Sequence, residues 1–360
     1  MDLSDFGISV AFLLLIYGDK QVKSSLRNYI TWDDIKIEEY KETESFSSGD
    51  GNMNGNGSRV IVVDQNGKGH SLSVQAAVDM VPFNNSMRVK IYILPGIYRE
   101  KVIVPASKPY ISFIGDEKRA SETVLSWNDK ASDKYKDGSE LGTYRTASVD
   151  IQSDYFCAYG ITIENTVIAV AGGYKQQAVA LRLAGDKAVL YRVRILGTQD
   201  TFMDSNGTHY LYQCYIQGSV DFIFGESRSL YRDCTLHSVA DKYGAIAAHH
   251  RNSEHENTGF SFVNCSITGT GSKIYLGRAW GNYSRVVYSY CDIDNIIDPS
   301  GWSDWNRPWR QRTAVFGEYE CRGKGADRKN RVSWSKSLGH VEAMPFLDTT
   351  FIGGDEWLKL

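Results

Sequence analysis

The sequence predicts an all-β fold in which short strands stack in parallel, as they do in a β-helix. A short apolar pattern recurs through the middle of the chain, and its shortest intervals are roughly 20 residues. Tyr is abundant at 22 residues and Gly at 33, whereas Pro is scarce at 7, a composition that favours strands and turns. Long helical patterns between strands, which a doubly wound α/β fold would require, do not occur.

Each copy of the repeat has an apolar residue, a central Cys or apolar residue, and a second apolar residue. The six copies are Phe156/Tyr159/Ile161, Leu190/Val193/Ile195, Leu211/Cys214/Ile216, Tyr231/Cys234/Leu236, Phe262/Cys265/Ile267 and Tyr288/Cys291/Ile293. The shortest intervals predict the minimal coil of a β-helix, and the longer intervals predict coils with inserted loops. An ordinary β-sandwich with chance similarity between its strands is the alternative.

Strand and helix patterns also precede the repeat. The apolar residues 60–63 and residues 90–94 predict strands, and the second of these ends at Pro95-Gly96. Between them, residues 72–81 place apolar side chains at helical spacing, which predicts a short helix.

The chain begins with a mainly apolar run at residues 8–17. This run is too short to span a bilayer but has the length of a signal-peptide core, so we predict a signal peptide over residues 1–17. Asp2 and Asp5 stand where a signal peptide normally carries basic residues. A membrane anchor and a misassigned start of the chain are therefore the alternatives.

Residues 45–58 are rich in Gly, Ser and Asn, which is typical of a flexible linker. We therefore predict a flexible N-terminal segment over residues 18–58 and one large domain over residues 59–360. Five Asn-X-Ser/Thr sequences suit a secreted glycoprotein; they begin at Asn56, Asn84, Asn206, Asn264 and Asn282.

Charge and cysteine content narrow the function classes. The net charge is −3 and the pI about 6.2, so no basic field predicts a nucleic-acid partner. None of the six Cys has a CxxC spacing, and we predict no metal.

Cys214 and Cys234 occupy the same position in successive minimal coils, where strand spacing allows the Cα separation of a disulfide. A disulfide between them is predicted, with a ladder of buried thiols as the alternative.

Two aspartates are the first candidates for chemistry. Asp200 and Asp221 each lie seven residues after the central position of a repeat, so their carboxylates should stack about one strand spacing apart. Asp241 has the same offset, so spacing alone does not prove a function. Asp221 also interrupts an apolar run, where a charge is rarely buried without a partner or a task. Two adjacent carboxylates drive their pKa values apart, which gives one acid and one base.

Polar and aromatic residues near these aspartates complete the pattern. Gln177 and Gln199 lie about one coil apart, and their amides could donate jointly to an oxyanion or form a structural amide ladder. Arg278 is a candidate partner for a buried carboxylate because its guanidinium can bind both oxygens. Trp280 and Trp302 are candidates for stacking on a sugar ring, although packing in the core is the more common role of a Trp.

At these residues the chain resembles the plant pectin methylesterases, or pectinesterases, over residues 60–360. The matching motifs, in chain order, are Pro95-Gly-Ile-Tyr-Arg-Glu-Lys-Val102, Thr143-Tyr-Arg-Thr-Ala-Ser148, Gln177-Ala-Val-Ala-Leu-Arg182, Gln199-Asp-Thr201, Gly218-Ser-Val-Asp-Phe-Ile-Phe-Gly225, Leu276-Gly-Arg-Ala-Trp280, Gly301-Trp302 and Gly317-Glu-Tyr319. Their joint presence in this order is specific, whereas no single motif would suffice. The resemblance implies a right-handed parallel β-helix that needs no metal or other cofactor.

The resemblance also implies roles for the candidate residues. Asp221 is expected to be the nucleophile that attacks the carbonyl of a C6 methyl ester, and Asp200 the general acid and base. Gln177 and Gln199 are expected to stabilise the oxyanion, and Arg278 to keep Asp221 ionised. The expected reaction converts methyl esters of homogalacturonan to carboxylates and methanol.

Substrate contacts are expected from Thr143 and from the sugar-stacking walls Trp280 and Trp302. The resemblance implies a secreted cell-wall enzyme that acts on pectin as a monomer, with a proteinaceous pectinesterase inhibitor as a further partner. Another pectin-active β-helix, a lyase or a polygalacturonase, would show its own catalytic signature, and we find neither. The alternative from a different class is a catalytically inactive carbohydrate-binding β-helix.

The chain departs from the family pattern at several positions. Ala279 replaces the usual Pro, which predicts a looser loop, and Phe202-Met203 replaces the common Leu-Tyr. His249 and His250 lie in a stretch that reads Thr-Ala-Gln-Gly-Arg in the family. They would alter the response to pH unless they are solvated surface residues, which is the usual situation. No departure removes a catalytic candidate.

Overall fold

The computed structural model describes residues 29–36, 59–170 and 172–360. The predicted signal peptide and the linker at residues 45–58 lie outside the described residues. The fold is a right-handed parallel β-helix, which confirms the predicted class. Eight successive coils contribute one strand to each of three parallel sheets, and three further strands extend sheet 1.

The three sheets run along the length of the solenoid. Sheet 1 has 11 strands: Arg59–Val63, Val89–Ile93, Ile111–Ile114, Cys157–Tyr159, Ala188–Tyr191, Thr208–Tyr212, Arg228–Arg232, Gly259–Val263, Arg285–Ser289, Val315–Tyr319 and Lys336–Ser337. Sheet 2 has 8 strands: Gly96–Arg99, Thr123–Trp127, Thr162–Asn165, Arg194–Leu196, Tyr215–Gly218, Thr235–Val239, Ser266–Thr270 and Asp292–Ile293. Sheet 3 has 8 strands: Val102–Val104, Val149–Ile151, Leu181–Leu183, Phe202–Asp204, Ile223–Gly225, Tyr243–His249, Lys273–Ala279 and Trp302–Ser303.

Within the described residues, helices are few and short. The α-helices are Trp32–Ile35, Val74–Asp79 and His340–Ala343. The 3-10 helices are Glu117–Arg119, Thr143–Thr146, Pro308–Arg312, Lys324–Ala326, Met344–Phe346, Thr349–Ile352 and Gly354–Glu356. None of the helices in the described part of the chain is long and apolar enough to cross a membrane.

The elements predicted ahead of the repeat are confirmed with small changes at their ends. The strand predicted at residues 60–63 is Arg59–Val63, and the helical pattern at residues 72–81 forms the helix Val74–Asp79. The helix begins after Ser73, whose side chain accepts a hydrogen bond from a backbone N–H in the first turn. This cap satisfies one of the amides that a helix N-terminus leaves unpaired.

The register of the strands confirms five of the six predicted repeats. Leu190 pairs with Leu211, and the same positions of the following copies continue this column along sheet 1. The first copy was placed two residues too early, because Leu190 pairs with Ala158 and not with Phe156. Phe156 and Ala158 are both buried, so the alternation of apolar residues fits either register.

The predicted disulfide between Cys214 and Cys234 is absent, and both residues are free thiols. They belong to a column of cysteines at the turn from sheet 1 to sheet 2, in which Cys234 Sγ donates to Leu211 O at 3.5 Å. Stacked residues have parallel Cα–Cβ bonds, so their Cβ atoms stay about 4.8 Å apart. A disulfide needs a separation of about 3.8 Å, which explains why the thiol ladder forms instead.

The N-terminal segment packs against sheet 1. Ile30–Thr31 pairs in parallel with Leu358–Lys359 near the end of the chain. Trp32 contacts Tyr191 edge to face, with 5.1 Å between the ring centroids. The predicted flexible segment at residues 18–58 therefore includes a stretch that contributes to the packing of the domain.

Candidate active site

A cleft of about 340 Å³ lies over sheet 3. It brings together all but one of the residues predicted to act in the site: Thr143, Gln177, Gln199, Asp200, Asp221, Arg278 and Trp280. Its other lining residues are Tyr144, Met203, Phe224, Ala248 and Trp305.

Both aspartates lie in turns that lead from sheet 2 to sheet 3. The stacking of successive coils places Asp200 beside Asp221, and the backbone N–H of Asp200 donates to Val220 O at 3.0 Å. Both have left-handed backbone conformations, with φ of 59° at Asp200 and 48° at Asp221. Asp tolerates this conformation better than most residues, and the surrounding strands hold it in place. The equal offsets in the sequence therefore correctly predicted the juxtaposition.

Asp241 shows why the offset alone was insufficient. Its side chain is exposed, and it does not stack on Asp221. Because Ile223 pairs with Ala247, the position equivalent to Asp221 in the next coil is Ala245. Ala245 lies 11 residues after Cys234, whereas Asp221 lies 7 residues after Cys214, so this coil has extra residues between sheets 2 and 3 and the register of Asp241 is lost.

Asp221 is buried and forms an ion pair with Arg278. The Arg278 Nε donates to Asp221 Oδ1 at 2.7 Å, and its Nη2 donates to the other carboxylate oxygen. Arg278 Nη1 also donates to the Tyr243 hydroxyl at 3.1 Å, and its guanidinium lies 3.7 Å from the ring centroid of Trp305. Burial raises the pKa of Asp221 above its ordinary value, while the charge and hydrogen bonds of Arg278 act in the opposite direction.

Asp200 has the opposite electrostatic balance. Burial raises the pKa of Asp200 well above its ordinary value, and the charge of Asp221 raises it further. The charge of Arg278 opposes this shift, but Arg278 binds the carboxylate of Asp221 directly. The site therefore favours a proton on Asp200 while Asp221 is ionised.

Gln177 and Gln199 lie on neighbouring coils, and both line the cleft. The backbone N–H of Ala178, next to Gln177, donates to Gln199 O at 3.1 Å, which fixes the relative position of the two residues. The Oε1 of Gln177 is buried and has no hydrogen-bond partner within the described part of the chain. Both side chains border the aspartates, where their amide N–H groups can meet a developing oxyanion.

The structure corrects the assignment of Trp302 as a sugar-stacking wall. Trp302 is 1% exposed, stacks on Phe316 with 4.6 Å between ring centroids, and donates its Nε1–H to Glu318. Trp305, which follows the same strand, lines the cleft instead. Both tryptophans lie in the stretch Gly301-Trp-Ser-Asp-Trp305, and the sequence did not show which of the two rings faces the cleft.

The sequence also did not identify the apolar floor of the cleft. Met203 pairs with Phe224, and Phe224 pairs with Ala248, so the three side chains form one strip on the outer face of sheet 3. Tyr144 borders this strip at the cleft and is exposed. The sequence shows the alternation of apolar residues along these strands. Apolar residues that face outward were the only signal in the sequence that this face binds a ligand.

The two histidines that depart from the family pattern have different environments. His249 is fully buried and accepts a hydrogen bond from the backbone N–H of Arg285 at 3.2 Å, so it is not a surface residue. Burial lowers the pKa of His249 to about 3. His250 is partly exposed and lies at the edge of the cleft beside Trp280.

Metal ligands are not grouped in the part of the chain that the structure describes. There, no group of three or more His, Cys, Asp or Glu residues is arranged to hold an ion. The titratable groups at the centre of the cleft are instead the two aspartates and the arginine described above.

The chain is similar to known proteins over most of its length. The sequence profile of the pectinesterase family matches residues 60–355. The chain is 64% identical to pectinesterase QRT1 of Arabidopsis thaliana over 349 residues, which cover 94% of this chain and 92% of that protein. It is 44% identical to putative pectinesterase 11 of the same plant, over 83% of this chain and 81% of that protein.

Solved structures show the same architecture. The pectin methylesterase from carrot matches with a TM-score of 0.75 and 34% identity, over 82% of this chain and 94% of that chain. The deglycosylated pectin methylesterase from Aspergillus niger matches with a TM-score of 0.71 and 25% identity, over 83% and 96% of the two chains. Together, the family profile and these relatives show that the chain belongs to the pectinesterase family.

Proposed function

We propose that this protein is a pectin methylesterase that hydrolyses C6 methyl esters of homogalacturonan to galacturonate carboxylates and methanol. One observation carries this proposal: a buried carboxylate, Asp221, is held by Arg278 beside a second carboxylate, Asp200, whose pKa burial and the charge of Asp221 raise well above its ordinary value. Such a pair supplies a nucleophile and a general acid in one cleft. Membership of the pectinesterase family supports the same reaction.

In the first half of the reaction, the carboxylate of Asp221 attacks the ester carbonyl. The carbonyl oxygen becomes an oxyanion, to which the amide N–H groups of Gln177 and Gln199 donate hydrogen bonds. When the intermediate collapses, the C–O bond to the methoxy group breaks and Asp200 gives its proton to the departing methanol. The product is an anhydride between Asp221 and the sugar carboxyl.

In the second half, Asp200 is ionised and acts as a base. It takes a proton from a water molecule, whose oxygen attacks the anhydride and releases the sugar carboxylic acid. Asp221 returns to its carboxylate form and Asp200 to its protonated form, so the cycle closes. Arg278 keeps Asp221 ionised and aimed by binding both of its oxygens.

The substrate chain would lie along the apolar floor of the cleft. Trp280 and Trp305 would form the walls against which sugar rings stack, and Thr143 would contact the substrate at the opposite side. We further propose that the enzyme is secreted, acts on pectin in the cell wall as a monomer, and is open to a proteinaceous pectinesterase inhibitor.

The test is methanol release from highly methylated pectin by the purified protein, measured with and without EDTA. We expect methanol in both conditions and no new reducing ends, since the reaction leaves the polymer uncut. Chain cleavage would indicate a lyase or a polygalacturonase. Binding of pectin without methanol release would indicate an inactive carbohydrate-binding β-helix.

A further inference from the structure

Trp280 lines the cleft, but hydrogen bonds do not fix its ring. Within the described part of the chain, its indole N–H has no hydrogen-bond partner, and the ring is held by packing. Phe224 contacts it from the floor of the cleft, with 6.1 Å between ring centroids and a tilt of 54°. The imidazole of His250 lies closer, with 4.5 Å between ring centroids and a tilt of 43°.

His250 is itself fixed at three points. Its backbone N–H donates to Gly225 O at 2.8 Å. Its Nδ1 is 2.8 Å from Glu226 Oε1, and its Nε2 is 3.0 Å from the side-chain nitrogen of Asn252. A neutral imidazole that carries its proton on Nδ1 satisfies both contacts, because it donates to the carboxylate and accepts from the amide. The ring is therefore held by residues that follow two adjacent strands of sheet 3.

We propose that His250 is a positioning residue that holds the Trp280 indole in the orientation in which it binds substrate. This inference rests on the proposed function, in which Trp280 is a sugar-stacking wall. An indole that is already ordered in the free enzyme loses less freedom when the sugar binds. His250 acts through Trp280 and does not contact the reacting atoms.

The kinetic constants KM and kcat should show that His250 affects substrate binding and not the reaction step. Loss of His250 would weaken ground-state and transition-state binding equally, which raises KM and leaves kcat unchanged. We expect His250→Ala to raise KM about 5-fold and to change kcat less than about 2-fold, as loss of one aromatic contact predicts. His250→Phe keeps the ring against Trp280 and should restore KM to within about 2-fold of wild type.

His237→Ala is the matched control. His237 also stacks on an aromatic ring, that of Tyr215, and its Nδ1 lies 3.0 Å from the Thr268 hydroxyl, but it lies on sheet 2 outside the cleft. The variant His237→Ala should leave KM unchanged. An unchanged KM in His250→Ala, or a change in kcat instead of KM, would overturn the proposal.

The Trp280→Ala background shows whether His250 acts through the indole. Adding His250→Ala to this variant should cause no further rise in KM, whereas a further 5-fold rise would overturn the positioning role. The same series keeps the two proposals apart. If Trp280→Ala alone has a wild-type KM, the sugar-stacking wall of the proposed function is wrong. A raised KM in Trp280→Ala together with a wild-type KM in His250→Ala contradicts the positioning role alone.

Discussion

Asp200 in the cleft and Asp204 in the core are four residues apart in the sequence, yet their pKa values shift in opposite directions. In the cleft, burial raises the pKa of Asp200 well above its ordinary value. In the core, Asp204 is completely buried. Burial alone would raise the pKa of Asp204, but the charge of His209 and hydrogen bonds from three side chains hold it below its ordinary value.

The difference lies in the donors that surround each carboxylate. Asp204 Oδ1 lies 2.5 Å from His209 Nδ1, and the hydroxyl of Tyr231 donates to Oδ2. Asp200 faces the like charge of Asp221 instead. Burial therefore does not decide whether an aspartate in this fold is ionised; the balance of donors and neighbouring charges does. The core therefore favours an ionised Asp204, whereas the cleft favours a protonated Asp200, as the proposed mechanism requires.

Asp221→Asn should cause the largest effect, because it removes the proposed nucleophile. We expect kcat to fall by about 10⁶-fold, as loss of a covalent catalyst commonly does, while the fold is retained. The measurement is methanol release, with circular dichroism to establish folding. Asp241→Asn is the control, since Asp241 has the same offset in the sequence but lies on the surface. Near-wild-type turnover by folded Asp221→Asn would contradict the assignment of Asp221 as the nucleophile, and with it the functional distinction between the carboxylates of the cleft and of the core.

His209→Gln should cause the largest loss of stability, because it leaves the charge of Asp204 buried without its partner. We expect the free energy of unfolding to fall by about 3–5 kcal/mol, measured by urea denaturation. His237→Gln, outside the core, should cost less than about 1 kcal/mol. Equal losses in the two variants would contradict the role of the core ion pair.

The core pair should also give stability a defined pH dependence. Burial lowers the pKa of His209, but the charge and hydrogen bond of Asp204 raise it above its ordinary value of 6.5. The contribution of His209 is therefore complete below pH 6.5 and is lost as pH rises through the raised pKa. The contribution of Asp204 is lost as pH falls through its lowered pKa. His209→Gln should lack the alkaline loss that wild type shows in urea titrations at each pH.

Arg278→Ala should shift the pH profile of the cleft. Without the guanidinium, nothing offsets the effect of burial on Asp221, so its pKa rises and the acidic limb of kcat/KM moves up by about 1–3 pH units. Activity then falls at a higher pH as pH decreases, because the protonated nucleophile is inactive. Arg278→Lys should preserve part of the charge effect but lose the paired hydrogen bonds. If the acidic limb stays in place in Arg278→Ala, Arg278 does not tune Asp221 and would instead bind a substrate carboxylate.

The smallest effect is expected in the thiol column of the core, which contains no charge. The buried thiols of Cys214 and Cys234 are free, so a reductant should leave the melting temperature unchanged within about 1 °C. Alkylation after denaturation without reductant should label all six cysteines. A disulfide between Cys214 and Cys234 in non-reduced peptides would contradict the ladder.

The sequence was sufficient to predict the architecture and the centre of the cleft for one physical reason. In a parallel stack, equal offsets from an apolar column place side chains side by side, and this rule located Asp200 and Asp221. It failed where a coil has extra residues between sheets 2 and 3, as the coil that contains Asp241 does. The predicted disulfide failed for a different reason, since a suitable spacing of Cα atoms does not determine the direction of the Cβ atoms.

Side-chain direction accounts for the remaining errors. Trp302 and Trp305 lie in one motif, and only the path of the chain after the strand decides which ring faces the cleft. His249 and His250 are neighbours in the sequence, yet one points into the core and the other lies at the cleft. Alternation along a strand predicts that they differ, but it does not predict which one is buried.

The pairing of Ile30–Thr31 with Leu358–Lys359 has a consequence for how the solenoid loses its structure. A stack of coils whose contacts are all between neighbours can fray from either end, one coil at a time. Here the first described residues and the last strand pair with each other beside sheet 1, so detachment of either terminal segment leaves the other without its partner. The ends must also find each other across almost the whole chain, which makes this pairing a late step in folding. Truncation of one terminus should therefore cause the opposite terminus to fray first.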